Sequence, residues 1–92
     1  MKNKILIIGN GAKEYALAKR LSEKNEVFVT PSSDAIQEFA TCLDIREDSI
    51  NELLEFVMEN DINMTIAVSE KAIKADIVSK FNNNKQHIFG LY

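Results

Sequence analysis

The chain predicts an α/β fold: an open, mostly parallel sheet with helices on both faces. Three observations carry that expectation. Ile5-Leu6-Ile7-Ile8 and Met64-Thr65-Ile66-Ala67-Val68 are unbroken or nearly unbroken runs of β-formers, the pattern of strands covered on both sides. Segments with helical spacing of apolar residues alternate with such runs, and alternation of this kind implies parallel strands joined by right-handed crossovers. The first run also ends in Gly9-Asn10-Gly11, a joint where a strand turns directly into a helix.

The elements follow in order. After the strand Ile5–Ile8, residues 13–23 read as a helix, with Leu17 and Leu21 one turn apart and small Ala16 and Ala18 beside them, which permits close approach to a sheet. Glu26-Val27-Phe28-Val29-Thr30 is the second strand, and Pro31 stops it. Ser32-Ser33-Asp34 caps a short helix through about Phe39, since Asp34 and Gln37 have capping-box spacing. Leu43-Asp44-Ile45 is expected as a short edge strand. Ser49 and Glu52 form a second capping box, and behind it Ile50, Leu53, Leu54, Val57 and Met58 fall on one helical stripe. Asn60-Asp61 makes a turn into the strand 64–68. A helix from Ser69 or Glu70 to Asn82 carries Ile73, Ile77 and Phe81 on one stripe with Val78 beside it. A turn at 82–85 leads to a last strand, His87-Ile88-Phe89. No internal repeat is visible.

The chain has 92 residues, 46% hydrophobic and 27% charged, the balance of an ordinary soluble domain with one compact core. No apolar run approaches the roughly 18 residues that span a bilayer, and Ile5–Ile8 is too short for a signal-peptide core. Cys42, the only cysteine, has no internal disulfide partner, so a cytoplasmic location is expected. Charge is segregated. Residues 1–25 carry six basic and two acidic side chains, whereas residues 34–61 carry one basic and nine acidic. The net charge of −3 gives no dominant basic face, which argues against nucleic acid.

In sheets of this kind ligands sit beyond the carboxyl ends of the strands, where the strand order reverses. That edge gathers Gly9–Glu14, Thr30–Asp34 and Val68–Lys71, and the chain's last residues reach it too. The glycines at 9 and 11 allow the backbone to approach a ligand, the first amides of the following helix point at an incoming anion, and Lys13 adds a charge. The same glycines also serve a strand-to-helix turn that holds nothing. A dinucleotide is disfavoured on two counts: Glu14 stands where G-x-G-x-x-G requires its third glycine, and the second strand ends in Thr30-Pro31 rather than an acidic residue.

Residues 9–18, Gly-Asn-Gly-Ala-Lys-Glu-Tyr-Ala-Leu-Ala, resemble the opening of the phosphoribosylamine–glycine ligases, which typically run G-N-G-G-R-E-H-A-L-A. Val27-Phe28-Val29-Thr30-Pro31 is similar to that family's V-F-V-A-P-G-N, and Met64–Glu70 to L-T-I-V-G-P-E; Ile88-Phe89-Gly90 closes the likeness. The resemblance covers the whole chain but only the first domain of a much longer enzyme. It implies a pre-ATP-grasp, Rossmann-like domain. It further implies a role in de novo purine biosynthesis, where ATP phosphorylates glycine and the amine of 5-phosphoribosylamine attacks the acyl phosphate. The first domain helps to hold 5-phosphoribosylamine. ATP and Mg2+ belong to later domains absent from this chain, so no cofactor is expected here and the domain alone is not expected to be catalytic.

By position, the resemblance assigns Gly9, Asn10, Gly11 and Glu14 to the sugar-phosphate loop and Glu70 to the facing loop; Ala12, Lys13, Pro31, Ser32, Ser33 and Lys71 complete the candidate substrate-binding set. Several of these depart from the family pattern: Ala12 replaces glycine, Lys13 arginine, Tyr15 histidine, and Ser32-Ser33 and Val68-Ser69 replace G-N and G-P. Lysine keeps the charge of arginine but loses the planar fork that grips two oxygens. Glu14 and Glu70 either accept hydrogen bonds from a sugar or simply favour the positive end of a helix. Lys71 either reaches an anion or is solvated. Ser32, Ser33 and Ser69 read as caps, His87 as structural or exposed, and Cys42 as a small packing residue. No spacing suggests a metal site.

Two other functional classes fit the residues. One is a stand-alone Rossmann-like module for a phosphorylated small molecule, favoured by the altered ligand positions. The other is an interaction domain without a small ligand, using the acidic helix 49–59.

Overall fold

A computed structural model describes residues 3–9, 11–31 and 36–90. Among them, five strands form one parallel sheet: β1 (Lys4–Ile8), β2 (Glu26–Thr30), β3 (Thr41–Cys42), β4 (Met64–Ala67) and β5 (Ile88–Gly90). The spatial order is β3-β2-β1-β4-β5. The chain lays strands outward from β1 in one direction, then returns to the other side of β1. With right-handed crossovers, such a reversal places the later helices on the opposite face. Accordingly α1 (Ala12–Leu21) and the 3-10 turn Ile36–Glu38 cover one face, and α2 (Ile50–Glu59), α3 (Glu70–Lys74) and α4 (Ile77–Asn83) the other.

The alternation of strand side chains sorts the core into two layers. Ile5, Ile7, Val27, Val29 and Ile66 pack with Ala18 and Ile36. Leu6, Ile8 and Ala67 pack with Ile50, Leu53, Val57, Ala72, Ile77 and Phe81. β1 sits at the centre, and Leu6, Ile7 and Ile8 are wholly buried, which explains the unbroken apolar run. Tyr15 meets Phe39 edge-on at 5.4 Å on one face, and Phe28 meets Phe56 at 5.5 Å on the other.

The expected open parallel α/β architecture with helices on both faces is present, and β2 has the expected bounds. Other details differ. The helix expected over 13–23 ends at Leu21. The edge strand is Thr41–Cys42 rather than 43–45, because Phe28 and Val29 pair with Thr41 and Cys42. The Leu43 amide still reaches the Val29 carbonyl at 2.8 Å. Beyond it, the buried Thr30 hydroxyl takes up carbonyls of Leu43 and Ile45, and the segment leaves the sheet.

Ser49 precedes α2 without a side-chain cap, so the Ser49–Glu52 capping box does not form; at ψ 70° its backbone is outside the extended range in which such a hydroxyl reaches the next amides. Met58, expected on the buried stripe, is 53% exposed. The single helix expected from 69 or 70 to 82 is two: Ala75 ends α3, and Asp76 adopts a left-handed conformation (φ 65°) before α4. The break lets Ala72 and the pair Ile77 and Phe81 be buried against one sheet face. The last strand is shifted one residue, to Ile88–Gly90. The Asp34 capping box lies outside the described residues.

Candidate functional site at the carboxyl edge of the sheet

The strand order reverses at β1, so the crevice between the ends of β1 and β4 is the position at which open α/β sheets take ligands. Two sets of backbone bonds close the neighbouring loops onto this point. The Gly9 amide donates to the Thr30 carbonyl at 2.7 Å, joining the ends of β1 and β2. The Ile8 carbonyl accepts from both Val68 and Ser69 amides, each at 3.0 Å, joining β1 to the turn before α3. Ser69 caps α3, its hydroxyl accepting from the Ala72 amide at 3.4 Å. The capping role read for Ser69 is therefore present.

Gly9 has φ +135°, a conformation open essentially to glycine alone. Glu14, from the first turn of α1, folds back over it and is 8% exposed. A Cβ on Gly9 would lie 2.6 Å from Glu14 Oε1, and one on Gly11 would lie 3.0 Å from Oε2. Both glycines thus make room for a carboxylate. The loop presents Glu14 at the crevice as a hydrogen-bond acceptor, and a carboxylate there favours a donor (a hydroxyl or an ammonium) as its partner.

Among the other expected site residues, Ala12 and Lys13 are exposed on the first turn of α1, and Asn10, Ser32 and Ser33 lie outside the described residues. Glu70 is exposed, with Lys74 one turn on at 2.7 Å. Pro31 and Lys71 come together. They line a cleft of about 180 Å³ with Arg46, Glu47 and Asp48. Within it Lys71 Nζ lies 3.9 Å from Glu47 Oε1, and Arg46 Nη2 lies 3.3 Å from Asp48 Oδ2.

Sequence reasoning passed over Arg46, Glu47 and Asp48. The available sign was topological: a charged turn directly after the edge strand must lie at the carboxyl edge. A larger cavity, about 510 Å³, opens at the other edge beside Asn25, Glu26 and Thr41. It stands at the amino ends of β2 and β3, away from the strand-order reversal, and is not the candidate site. Among the described residues no three His, Cys, Asp or Glu side chains are grouped to hold a metal ion, and no helix is long and apolar enough to cross a membrane.

Topology and site together define a Rossmann-like α/β domain whose ligand edge combines a carboxylate-filled glycine loop with a charged cleft. Residues 3–91 match the family described as Phosphoribosylglycinamide synthetase, N domain, and the chain belongs to that family. Among similar proteins, the phosphoribosylamine--glycine ligase of Halalkalibacterium halodurans is 36% identical over 89 residues, 94% of this chain and 21% of that protein. That of Caldanaerobacter subterraneus subsp. tengcongensis is 32% identical over 90 residues (95% and 22%), and that of Lactococcus lactis subsp. lactis 35% over 91 (95% and 22%). The chain therefore spans about a fifth of the length of these relatives.

Proposed function

We propose that this chain is the amino-terminal domain of a cytoplasmic phosphoribosylamine–glycine ligase of purine biosynthesis and that it contributes part of the 5-phosphoribosylamine site. One observation carries the reading beyond family membership: the Glu14 carboxylate is lodged over Gly9 and Gly11 at the strand-order reversal. There it accepts a hydrogen bond from a sugar hydroxyl or from the amine. The backbone at Gly9 and Gly11 lines the same edge and lets the sugar come close. Pro31 and Lys71 form the neighbouring wall, and Asn10, Ala12, Lys13, Ser32, Ser33 and Glu70 complete the proposed substrate-binding set.

ATP, Mg2+ and glycine are assigned to the domains that make up the rest of the relatives' length. This chain's own contribution, on this reading, is to bind and orient the sugar. The other domains are its partners.

Titration of the 92-residue chain with ribose 5-phosphate and, separately, with NADH tests the reading. Amide shifts at Gly9–Lys13 with the sugar phosphate alone are expected. Selective binding of NADH would overturn it.

A further inference from the structure

We infer that Arg46 is the anion-gripping side chain of this site, working with Lys71 across the cleft beside Pro31. The inference rests on the sugar-phosphate reading above and adds to it a residue from a segment outside the glycine loop.

Geometry sets the division of labour. The glycine loop at Gly9 and Gly11 is filled by the Glu14 carboxylate, which repels a phosphate at the point of closest approach. Lys13, the loop's own cation, is exposed on α1 and does not line the cleft. One strand further on, two cations from separate segments face the same cavity: Arg46 from the turn before α2, and Lys71 from the first turn of α3. Adjacent strands lie about 4.8 Å apart, so one pentose phosphate bridges the ends of β1 and β2. Its hydroxyl end then meets Glu14, and its phosphate meets residues 46 and 71.

The backbone beneath Arg46 is fixed on both sides. Thr30, wholly buried, donates its hydroxyl to the Ile45 carbonyl, with the Leu43 carbonyl 3.4 Å away. The Arg46 carbonyl accepts from the Ser49 amide at 3.0 Å. The Thr30 carbonyl holds the Gly9 amide, so one residue ties the glycine loop to the Arg46 segment. The guanidinium itself is 82% exposed and, among the described residues, is paired with Asp48, itself 39% exposed. Such a surface pair contributes little and exchanges readily. A phosphate carries more charge than a carboxylate and fits the planar fork on two oxygens.

The test measures affinities of the 92-residue chain for ribose 5-phosphate, ribose and inorganic phosphate by amide and Arg Nε–Hε shifts. Arg46→Ala should weaken ribose 5-phosphate binding about tenfold or more, and Arg46→Lys by an intermediate factor. Asp48→Asn, which removes the competing carboxylate, should tighten it about two- to threefold. The opposite signs separate gripping from general damage, and an unchanged amide spectrum elsewhere checks the fold.

If Arg46→Ala leaves ribose 5-phosphate affinity unchanged while Gly9–Lys13 still shift, the Arg46 inference fails and the sugar-phosphate reading stands. Equal affinity for ribose and ribose 5-phosphate has the same consequence. Binding of inorganic phosphate at Arg46 without any binding of ribose 5-phosphate keeps the grip and overturns the sugar reading. Binding of none of the three overturns both.

Discussion

Glu14 shows how one side chain can change the chemistry of a motif. Glycines at a strand-to-helix joint expose backbone donors, and on that ground alone the joint suits an anion. With the Glu14 carboxylate folded onto Gly9 and Gly11, the same joint carries an acceptor at its centre. The charge of residue 14 is legible in the sequence. Its direction is not, because a first-turn glutamate can also extend into solvent along the helix. Thr65 makes a second argument at this scale. It is wholly buried in β4, and its hydroxyl has no hydrogen-bond partner among the described residues. A buried hydroxyl without a partner costs about 1–3 kcal/mol, and valine is a better strand former of nearly the same shape. Thr65→Val is therefore expected to raise stability by about 1 kcal/mol in urea unfolding; a loss of similar size would show that the hydroxyl is satisfied in solution.

Single elements were legible where one pattern dominated. The runs at 5–8 and 26–30 became β1 and β2 because every residue in them but the exposed, leading Glu26 is apolar or β-forming, and Pro31 closes the second. The apolar spacing over 70–82 was equally regular, yet the structure divides it at Ala75–Asp76. Periodicity predicts which residues face the core, and Ile77 and Phe81 are buried as it expects, but across the break Ala72 is buried in the place expected of Ile73, which is only half-buried. Periodicity does not report whether the backbone is continuous. Asp76 is in the left-handed region, which costs an L-residue about 1–2 kcal/mol and glycine little. Against the greater chain entropy of glycine, Asp76→Gly should leave a net gain of about 0.5–1 kcal/mol, read from the urea midpoint. A loss of stability would instead indicate that α3 and α4 gain from a more continuous helix. Capping shows the same limit. Ser49 and Glu52 have the right spacing, but the chain arrives from the Arg46 turn at an angle that leaves the hydroxyl unused.

At the scale of the molecule, the sheet is one wall shared by two cores. Leu6 faces α2 and α4, Ile7 faces α1, and both are wholly buried on the central strand. Leu6→Ala and Ile7→Ala should each destabilise by about 2–5 kcal/mol, although they open cavities on opposite faces. Because β1 belongs to both layers, unfolding should remain a single transition for either variant, followed by far-ultraviolet circular dichroism and by the tyrosine signal together. Non-coincident transitions would mean that the two layers melt separately. The same wall builds the site. Gly9, Thr30 and Ser69 are separated along the chain and meet only because β1, β2 and β4 are neighbours in register.

By itself the sequence determined the architecture and the family, because both rest on features that survive in one dimension. Apolar runs and helical stripes repeat at fixed local periods, and a contiguous block such as residues 9–18 carries its likeness without reference to any contact. Tertiary structure alone decided where the charged groups stand. It folded Glu14 onto Gly9, moved the edge strand to Thr41–Cys42, and brought Arg46 and Lys71, distant along the chain, to one cleft. Those outcomes depend on strand order and on a buried hydroxyl at Thr30. Neither leaves a periodic trace, since pairing partners and side-chain rotamers are selected by packing between elements rather than within them.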